Sequence, residues 1–289
     1  MAERFGGAEL LVLPDEQAVA REAAHRTVAA LADAVARNGS AHIALTGGSA
    51  ATPLYRELAA PELRDALDWR RVHLWWGDER FVPVDHPQSN AGLAYRTLLA
   101  MPALAAESGT GAQYADVAAG AVAGLAVDVQ NVHPVEVVES LSDSDPAELA
   151  AENYRDHLAR LGPLARGAIP RFDVILAGIG PDGHTLSLFP NSPGLAADAE
   201  SVIAVPAPEH VEPRLARVTL TARVLPVAGL VIVMASGEAK AAVVSDVLGD
   251  QADVERWPAQ AALLPNSVWL LDRAAAARVA GLDQGPTSR

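Results

Sequence analysis

The amino-acid sequence predicts an α/β protein, a three-layer α/β/α sandwich around a mostly parallel sheet. Two observations predict this fold class: apolar runs alternate with helical stretches along the chain, and the run FDVILAGIG at 172–180 has no charged residue after Asp173. Such a run is typical of a central strand in a parallel sheet that helices cover on both faces. Half of the residues are hydrophobic but only 4% are aromatic, so we expect a core built mainly from Ala, Val and Leu.

The first predicted elements are a strand at 9–13 (ELLVL) and an Ala-rich helix that ends near residue 37. Asp15 is the predicted N-cap of this helix, because its carboxylate can accept hydrogen bonds from the free N–H groups of the first turn. A buried strand at 41–46 (AHIALT) ends in a glycine turn, and the Thr-Pro pair at 52–53 is typical of a helix start.

The rest of the chain continues this alternation. Residues 72–79 (VHLWWGDE) are the next apolar run, and helices are expected after Asn90 and from about Pro146 to Arg160. The remaining strand candidates are 134–139 (PVEVVE), 201–205 (SVIAV), 217–221 (RVTLT), 229–236 (GLVIVMAS) and 267–272 (SVWLLD).

The length fits a single α/β domain that spans residues 1–289. Residues 103–131 are rich in Gly and Ala and only weakly periodic, so we interpret them as a surface insertion rather than a domain boundary. The final residues, 281–289, are interpreted as a flexible tail.

Composition excludes several classes of partner and chemistry. The formal net charge of -14 argues against nucleic acid and against membrane surfaces, since binding to either begins with a basic patch. The absence of cysteine excludes disulfides, thiolate nucleophiles and Cys-ligated metal sites. No signal-peptide pattern or membrane-spanning run is evident, so a cytoplasmic location is expected. A monomer and a homodimer are both compatible with the sequence.

The first candidate site motif is the turn at Gly47, Gly48 and Ser49. Glycines let the backbone approach an anion, and the N-terminus of the following helix attracts phosphate. An ordinary strand-to-helix turn is the alternative interpretation, because the motif lacks the full dinucleotide-binding or Walker pattern. It also lacks the second glycine of G-x-S-x-G, so a serine-hydrolase elbow is not supported.

Two further motifs follow apolar strands, where the active sites of such sheets lie. In the GDER motif, Arg80 is a candidate clamp for phosphate or other substrate oxygens, and Asp78 a candidate to orient a substrate hydroxyl. In GPDGHT, His184 presents a group that titrates near neutral pH, and Asp182 is placed to set its tautomer. A solvated turn and a structural histidine are the respective alternatives.

Candidate cations occur in two more segments. Lys240 of SGEAK lies at a helix start, where a cation is unfavourable for the helix itself but suits an anionic ligand. Arg217 and Arg214 are further candidates, and each has a solvated side chain as its alternative. The histidine spacing supports no metal site.

In combination, four segments resemble the 6-phosphogluconolactonases, within the wider superfamily that contains glucosamine-6-phosphate deaminase. The segments occur in family order over about residues 10–280. They are TGGSAATPLY, WWGDERFVPVDHPQSN, FDVILAGIGPDGHTLSLFP and SGEAK. The resemblance implies a Rossmann-like fold, hydrolysis of 6-phosphogluconolactone to 6-phosphogluconate in the pentose phosphate pathway, and no required cofactor.

The resemblance also implies roles for individual residues. His184 matches the family's proposed general base, Arg80 a substrate-contacting arginine, and Arg217 the arginine of an R-x-T-x-T segment. Asn90 and Asp78 match residues in or next to the site. The phosphate-binding positions matched are the turn of Gly47, Gly48 and Ser49, and Lys240.

This sequence departs from the family pattern in two places. Residues 103–131 are longer than the family's usual connection. The family often has a Lys- and Pro-rich stretch before its R-x-T segment, where this chain has PAPEHVEPRLARVTLT, which leaves the choice between Arg217 and Arg214 open.

The expected mechanism is attack of water on the lactone carbonyl, assisted by His184 without a covalent intermediate. One alternative is an amino-sugar-phosphate isomerase or deaminase. Related deaminases carry a Glu soon after the DGH motif, where this chain has TLSLFP, so the lactonase is favoured. The other alternative is a non-catalytic sugar-phosphate sensor. Such sensors usually carry a DNA-binding module, and no helix-turn-helix or basic region is evident here.

Overall fold

A computed structural model describes residues 3–99, 124–137, 145–163, 169–196, 198–249 and 251–280. The helices and strands alternate along these residues as the sequence predicts. The helices are α1 (Glu16–Asn38), α2 (Ala51–Ala59), α3 (Pro61–Arg64), α4 (Asn90–Ala94), α5 (Pro146–Leu161) and α6 (Ala241–Val247). The strands are β1 (Glu3–Phe5), β2 (Ala8–Leu13), β3 (Ala41–Leu45), β4 (Val72–Trp76), β5 (Asp78–Arg80), β6 (Val132–His133), β7 (Val174–Gly178), β8 (Val202–Val205), β9 (Arg217–Leu220), β10 (Leu230–Ala235) and β11 (Ser267–Asp272).

The main sheet has eight strands in the order β1-β2-β11-β10-β7-β3-β4-β6. Every neighbouring pair is parallel except the β1–β2 pair at one edge. The predicted central strand, β7, lies between β10 and β3, so the mostly parallel sheet predicted from the sequence is confirmed.

Helices cover both faces of this sheet and make the three-layer arrangement. Alternate residues of β7 point to opposite faces: Val174 and Leu176 pack with α1 and α2, whereas Ile175 and Ala177 pack with α5 and α6. This division explains why β7 is apolar at every position, because neither of its faces meets water.

The beginning of α1 follows directly from the sequence. Asp15 accepts a hydrogen bond from the backbone N–H of Ala18 at 2.8 Å, as an N-cap does. The helix ends at Gly39, whose φ of 81° places it in the left-handed region that favours glycine.

Three strands that the sequence assigned to the main sheet form a separate antiparallel sheet instead, in the order β5-β9-β8. The run predicted at 72–79 therefore ends at Gly77 and continues as β5 in this second sheet. The strands predicted at 201–205 and 217–221 exist as β8 and β9, but they do not belong to the parallel sheet. Only residues 206–216 separate β8 from β9, fewer than the crossover of about a dozen or more residues that a parallel pair needs.

Two other expectations are corrected. The strand predicted at 134–139 is wrong over 134–137, which carry no strand, and residues 138 and 139 lie outside the described residues. The sixth strand instead forms at Val132–His133, where it pairs with β4. The helix predicted to start at 52–53 begins at Ala51.

The interpreted insertion is described only from residue 124 onward, and residues 103–123 and 281–289 lie outside the described residues. Within the described part, Leu125 and Val127 are buried against the α1–α2 side of the sheet. These two side chains anchor this part of the segment to the core, while Ala126 and residues 128–130 are exposed at the surface.

Within the described residues, none of the helices is both long enough and apolar enough to cross a membrane. The same residues contain no group of three or more His, Cys, Asp or Glu side chains arranged to hold a metal ion.

Candidate active site

A cavity of about 180 Å³ opens at the carboxyl ends of β3, β7 and β10. This is where a parallel sheet places ligands, because the loops that follow neighbouring strands converge there. Of the site residues predicted from the sequence, all line the cavity except Asp182, which contacts His184, and the alternative arginine, Arg214. The lining members are Gly47, Gly48, Ser49, Asp78, Arg80, Asn90, His184, Arg217 and Lys240.

The glycine turn joins β3 to α2 at one side of the cavity. Gly48 has a φ of 78°, which favours glycine, and a Cβ on Gly47 would lie 1.7 Å from Oδ1 of Asn90. Within the part of the chain that the structure describes, the N–H groups of Gly48 and Ser49 donate no hydrogen bond. These free donors beside a helix start suit an anionic ligand.

His184 lies across the cavity in the turn after β7. Its Nδ1 is 2.5 Å from Oδ1 of Asp182, and its backbone N–H donates to the same oxygen at 3.2 Å. Burial alone would raise the pKa of Asp182, but hydrogen bonds from His184 and His210, together with the charge of His184, hold it below the ordinary value. An ionised carboxylate only accepts, so Nδ1 of His184 carries the proton that faces Asp182. Nε2 is then the nitrogen free to accept a proton.

Two glycines shape the turn around His184. A Cβ on Gly180 would lie 2.0 Å from the imidazole ring, so only glycine leaves room for it there. The N–H of Gly180 also donates to the carbonyl of His184 at 2.8 Å. Gly183 has a φ of 82° and lies against Trp257. The GPDGH motif therefore fixes where the imidazole lies.

Arg80 and Asp78 lie on β5, which follows β4 directly after Gly77. Asp78 is buried, and its Oδ2 accepts a hydrogen bond from Ser187 at 2.7 Å. Arg80 donates through one terminal nitrogen to the carbonyl of Gln88 at 2.7 Å, whereas its buried Nε has no partner among the described residues. Arg80 thus has an unused donor at the cavity.

Glu79, which the sequence analysis did not select, holds these residues in place. It is 2% exposed, and its carboxylate accepts from the N–H groups of Arg80, Asn90 and Ala91 and from the hydroxyl of Ser89. Burial raises its pKa to about 7, against the effect of these backbone donors. The side chain joins β5 to the start of α4 and so positions Asn90.

Asn90 faces the cavity from the first turn of α4. Its Nδ2 donates to the backbone carbonyl of Asp78 at 2.8 Å, and its buried Oδ1 has no partner within the described ranges. Asn90 and Arg80 therefore each present a polar atom that the described protein atoms do not satisfy. Unsatisfied buried groups of this kind are typical of ligand sites.

The structure distinguishes between the two arginine candidates. Arg217 is 3% exposed and lines the cavity, whereas the side chain of Arg214 is 64% exposed and pairs with Glu212. The guanidinium of Arg217 lies 5.5 Å from the ring centre of Phe189 and donates to the carbonyl of Pro213. Burial lowers its pKa, and the nearby charge of Asp78 opposes this. Its Nε also lacks a partner among the described residues.

Lys240 is the last residue of a single 3-10 turn, Glu238–Lys240, and the regular helix α6 begins at the next residue. The sequence predicted that Lys240 lies at the start of the helix itself. Its Nζ donates to the carbonyl of Ile179 at 2.6 Å. Burial lowers the pKa of Lys240, and the charge of Asp182 opposes this effect. The ammonium group therefore lies on the same side of the cavity as the His184 turn and contributes positive charge there.

Sequence reasoning missed Glu79, Ser187, Phe189 and His210. Glu79 belongs to the DER triplet and Ser187 lies two residues after the GPDGHT motif, so the position of these two residues in the chain was a signal. Neither Phe189 nor His210 has a local pattern that separates it from an ordinary side chain. Only the folded arrangement brings them to the catalytic histidine candidate.

Comparison with known proteins gives a consistent result. The family model for "Glucosamine-6-phosphate isomerases/6-phosphogluconolactonase" matches residues 14–270. The chain is 35% identical to the 6-phosphogluconolactonase of Streptomyces coelicolor, with 94% of each protein covered. It is 37% identical to that of Homo sapiens, with 90% of this chain and 87% of the relative covered. The solved 6-phosphogluconolactonase from Trypanosoma brucei is similar at a TM-score of 0.75, with 26% identity over 97% of this chain and all of the other.

Proposed function

The chain belongs to the glucosamine-6-phosphate isomerase/6-phosphogluconolactonase family, and we propose that it hydrolyses 6-phospho-D-glucono-1,5-lactone to 6-phospho-D-gluconate in the pentose phosphate pathway. One observation carries the proposal beyond family membership. A histidine oriented by Asp182 and a set of cationic and N–H donors line the same cavity. A phosphorylated ester needs both features, one for the anion and one for the carbonyl carbon.

Phosphate recognition falls to the glycine turn, Lys240 and Arg217. The turn offers the free N–H groups of Gly48 and Ser49, and the two side chains offer positive charge. Charge-assisted hydrogen bonds to a phosphate are stronger than neutral ones, which matters in a protein whose net charge is -14. Binding of the phosphate by these groups holds the lactone ring within reach of His184.

Ring opening proceeds by addition of water and expulsion of the ring oxygen. Neutral His184 takes a proton through Nε2 as the water oxygen bonds to C1, and the carbonyl electrons move onto the oxygen. Arg80, whose Nε has no partner among the described residues, stabilises this oxyanion. When the electrons return, the C1–O5 bond breaks and the imidazolium donates its proton to O5. The products are a hydroxyl at C5 and a carboxylic acid at C1, which ionises in water.

An aldose-ketose isomerase or deaminase needs a base that moves a proton from carbon. The segment after His184 supplies no carboxylate: Leu186 lines the cavity, Ser187 is bonded to Asp78 and Phe189 packs on the imidazole. The lactonase therefore remains the better fit to this site. A non-catalytic sensor only binds its ligand and does not need a histidine oriented by a carboxylate, as His184 is by Asp182.

The decisive experiment is steady-state lactone hydrolysis by the pure protein, measured above the spontaneous rate. We expect wild type to accelerate the reaction, and His184→Ala to lower kcat by at least about 100-fold, as loss of a general base does. His25→Ala is the matched control, because His25 is exposed on α1 away from the cavity. If the His184→Ala protein had the wild-type rate, the imidazole would have no role in the mechanism. If wild type did not accelerate hydrolysis, the proposed function would be wrong.

A further inference from the structure

The carboxylate of Asp182 binds two imidazoles. Oδ1 lies 2.5 Å from Nδ1 of His184, and Oδ2 lies 2.8 Å from Nε2 of His210. The mechanism above uses the first of these contacts and leaves the second without a role. His210 belongs to the stretch PAPEHVEPRLARVTLT, in which this chain departs from the pattern of its family.

The two histidines also share an aromatic neighbour. Phe189 lies 4.7 Å from the ring centre of His184 and 6.0 Å from that of His210. Asp182 and Phe189 thus hold both imidazoles from two sides. Arg217 packs on the same phenyl ring, so the group includes a cation of the cavity wall.

His210 lies on a different part of the chain from His184. It is in the loop between β8 and β9, and the next three residues, 211–213, line the cavity. Val211 of this loop is buried against Phe189 and Val205. The bond from His210 to Asp182 therefore connects one wall of the cavity to the turn that carries the imidazole.

We propose, on the basis of the function proposed above, that His210 is a positioning residue: by donating to the second oxygen of Asp182, it fixes that carboxylate and thereby the orientation of His184. A carboxylate with one partner can rotate about χ2, whereas one held at both oxygens cannot. Since Asp182 is ionised, each histidine faces it with an N–H, which leaves Nε2 of His184 toward the cavity. The same bond holds the 206–216 loop over the site.

The arrangement also sets how much of the negative charge of Asp182 acts on His184. The N–H that His210 directs at Oδ2 of Asp182 offsets part of that charge, and the His210 side chain is 52% exposed. The charges of Lys240 and Arg217 also act on Asp182, and Glu212 lies in the same loop as His210. These three residues must therefore be kept unchanged in any test.

Two substitutions separate the N–H donor from the ring. His210→Phe keeps an aromatic ring against Phe189 but removes the donor, whereas His210→Gln keeps an N–H group at about the position of Nε2. His25→Phe, on the exposed face of α1, is the control for adding a phenyl ring. Steady-state lactone hydrolysis is measured for each, with thermal melts to establish that the variants are folded.

We expect His210→Phe to lower kcat about tenfold, the size of effect seen when one member of a coupled hydrogen-bond network is removed. His210→Gln should retain most of the wild-type kcat, and KM should change less than kcat in both. The acid limb of kcat/KM should move to higher pH in His210→Phe, because Asp182 then directs its full charge at His184. In an Asp182→Asn background, His210→Phe should have no further effect on kcat.

The proposal is overturned if His210→Phe has wild-type kcat, or if the Phe and Gln variants are equally impaired. It is also overturned if the effects of Asp182→Asn and His210→Phe simply add, because His210 would then act without Asp182. An increase in KM alone would assign His210 to the cavity wall and not to positioning. Failure of the proposed function is a separate outcome, since wild type itself would then be inactive.

Discussion

At the scale of single residues, Lys240 is unusual because it is the only lysine among 22 lysines and arginines. The other basic residues are arginines, which bind phosphate through a planar fork, whereas a lysine ammonium is a compact charge. Its position in the cavity, with Nζ held by the carbonyl of Ile179, suits one oxygen of a phosphate group.

Substitution of this lysine tests its role in docking. We expect Lys240→Met to raise KM at least about tenfold, because a charge-assisted hydrogen bond contributes about 1.5–3 kcal/mol to binding. The value of kcat should change little, since the phosphate does not react. Lys240→Arg, which retains the charge, is the control in the same steady-state assay. A loss confined to kcat would contradict the docking role.

The sequence alone predicted most of the residues of the candidate site, but not the side chains that contact them. His184, Arg80, Lys240 and the glycine turn follow strands, so their convergence was predictable from the α/β pattern. The R-x-T-x-T match favoured Arg217 over Arg214 without deciding between them, and burial separates the two only in the folded chain. His210 approaches Asp182 across 28 positions of sequence, a contact that no local rule supplies.

At the scale of elements, a row of four histidines runs over the last three strands at one edge of the main sheet, β3, β4 and β6, and ends on α5. His42 on β3 stacks on His73 of β4, which shares a hydrogen bond with His133 of β6, and His133 shares another with His157 of α5. Burial lowers the pKa of all four, with His42 at about 4 and His133 at about 3, and the charges of neighbouring histidines add to the effect at these two. The row is therefore neutral at neutral pH.

This row predicts acid-sensitive stability. In the unfolded chain these histidines take up protons below about pH 6.5, whereas in the folded chain they do so only near their lowered pKa values. Stability is thus complete above about pH 6.5 and falls as the pH drops toward 4, by at most about 1.4 kcal/mol per pH unit for each histidine. Glu79 opposes the trend, because its raised pKa of about 7 makes the folded protein take up a proton first.

Denaturant unfolding at about pH 7.5 and about pH 5.5 measures this effect. We expect the stability of wild type and of the His25→Gln control to fall by the same amount between the two pH values. His133→Gln should show a smaller fall, since it removes the histidine with the most strongly lowered pKa. An identical fall in all three proteins would exclude the row as the cause.

Element prediction succeeded where hydrophobic pattern and capping agree, as in α1 with Asp15 and in the continuously apolar β7. It failed for the sheet that β5, β8 and β9 form. These strands have the same β-type pattern as the others, and nothing within them specifies which sheet they join. That choice depends on pairing partners distant in sequence, such as Asp78 with Thr219.

At the scale of the whole molecule, two large apolar clusters pack on opposite faces of the same sheet. Strands such as β7 and β10 contribute alternate residues to both, so neither cluster can be lost without the other. This supports our proposal that the chain is a single domain.

A single domain predicts one cooperative thermal transition by calorimetry. Because the ligand binds only the folded state, 6-phosphogluconate at about 100 times its Kd should stabilise the protein by about 2.7 kcal/mol and raise its Tm. Lys240→Met should weaken this shift at the same ligand concentration. Two resolved transitions, or a shift in only one of two, would contradict the single-domain proposal.

The sequence by itself determined the α/β class, the strand ends at which the site motifs lie, and the family. These depend on short-range patterns: the alternation of apolar runs, the glycines of the turns and the order of four motifs. Tertiary structure alone decided that β5, β8 and β9 form a second sheet, that Arg217 rather than Arg214 faces the cavity, and that His210 shares Asp182 with His184. The physical reason is that burial, pairing and shared hydrogen bonds arise between residues far apart in the chain, and they exist only once the layers have packed.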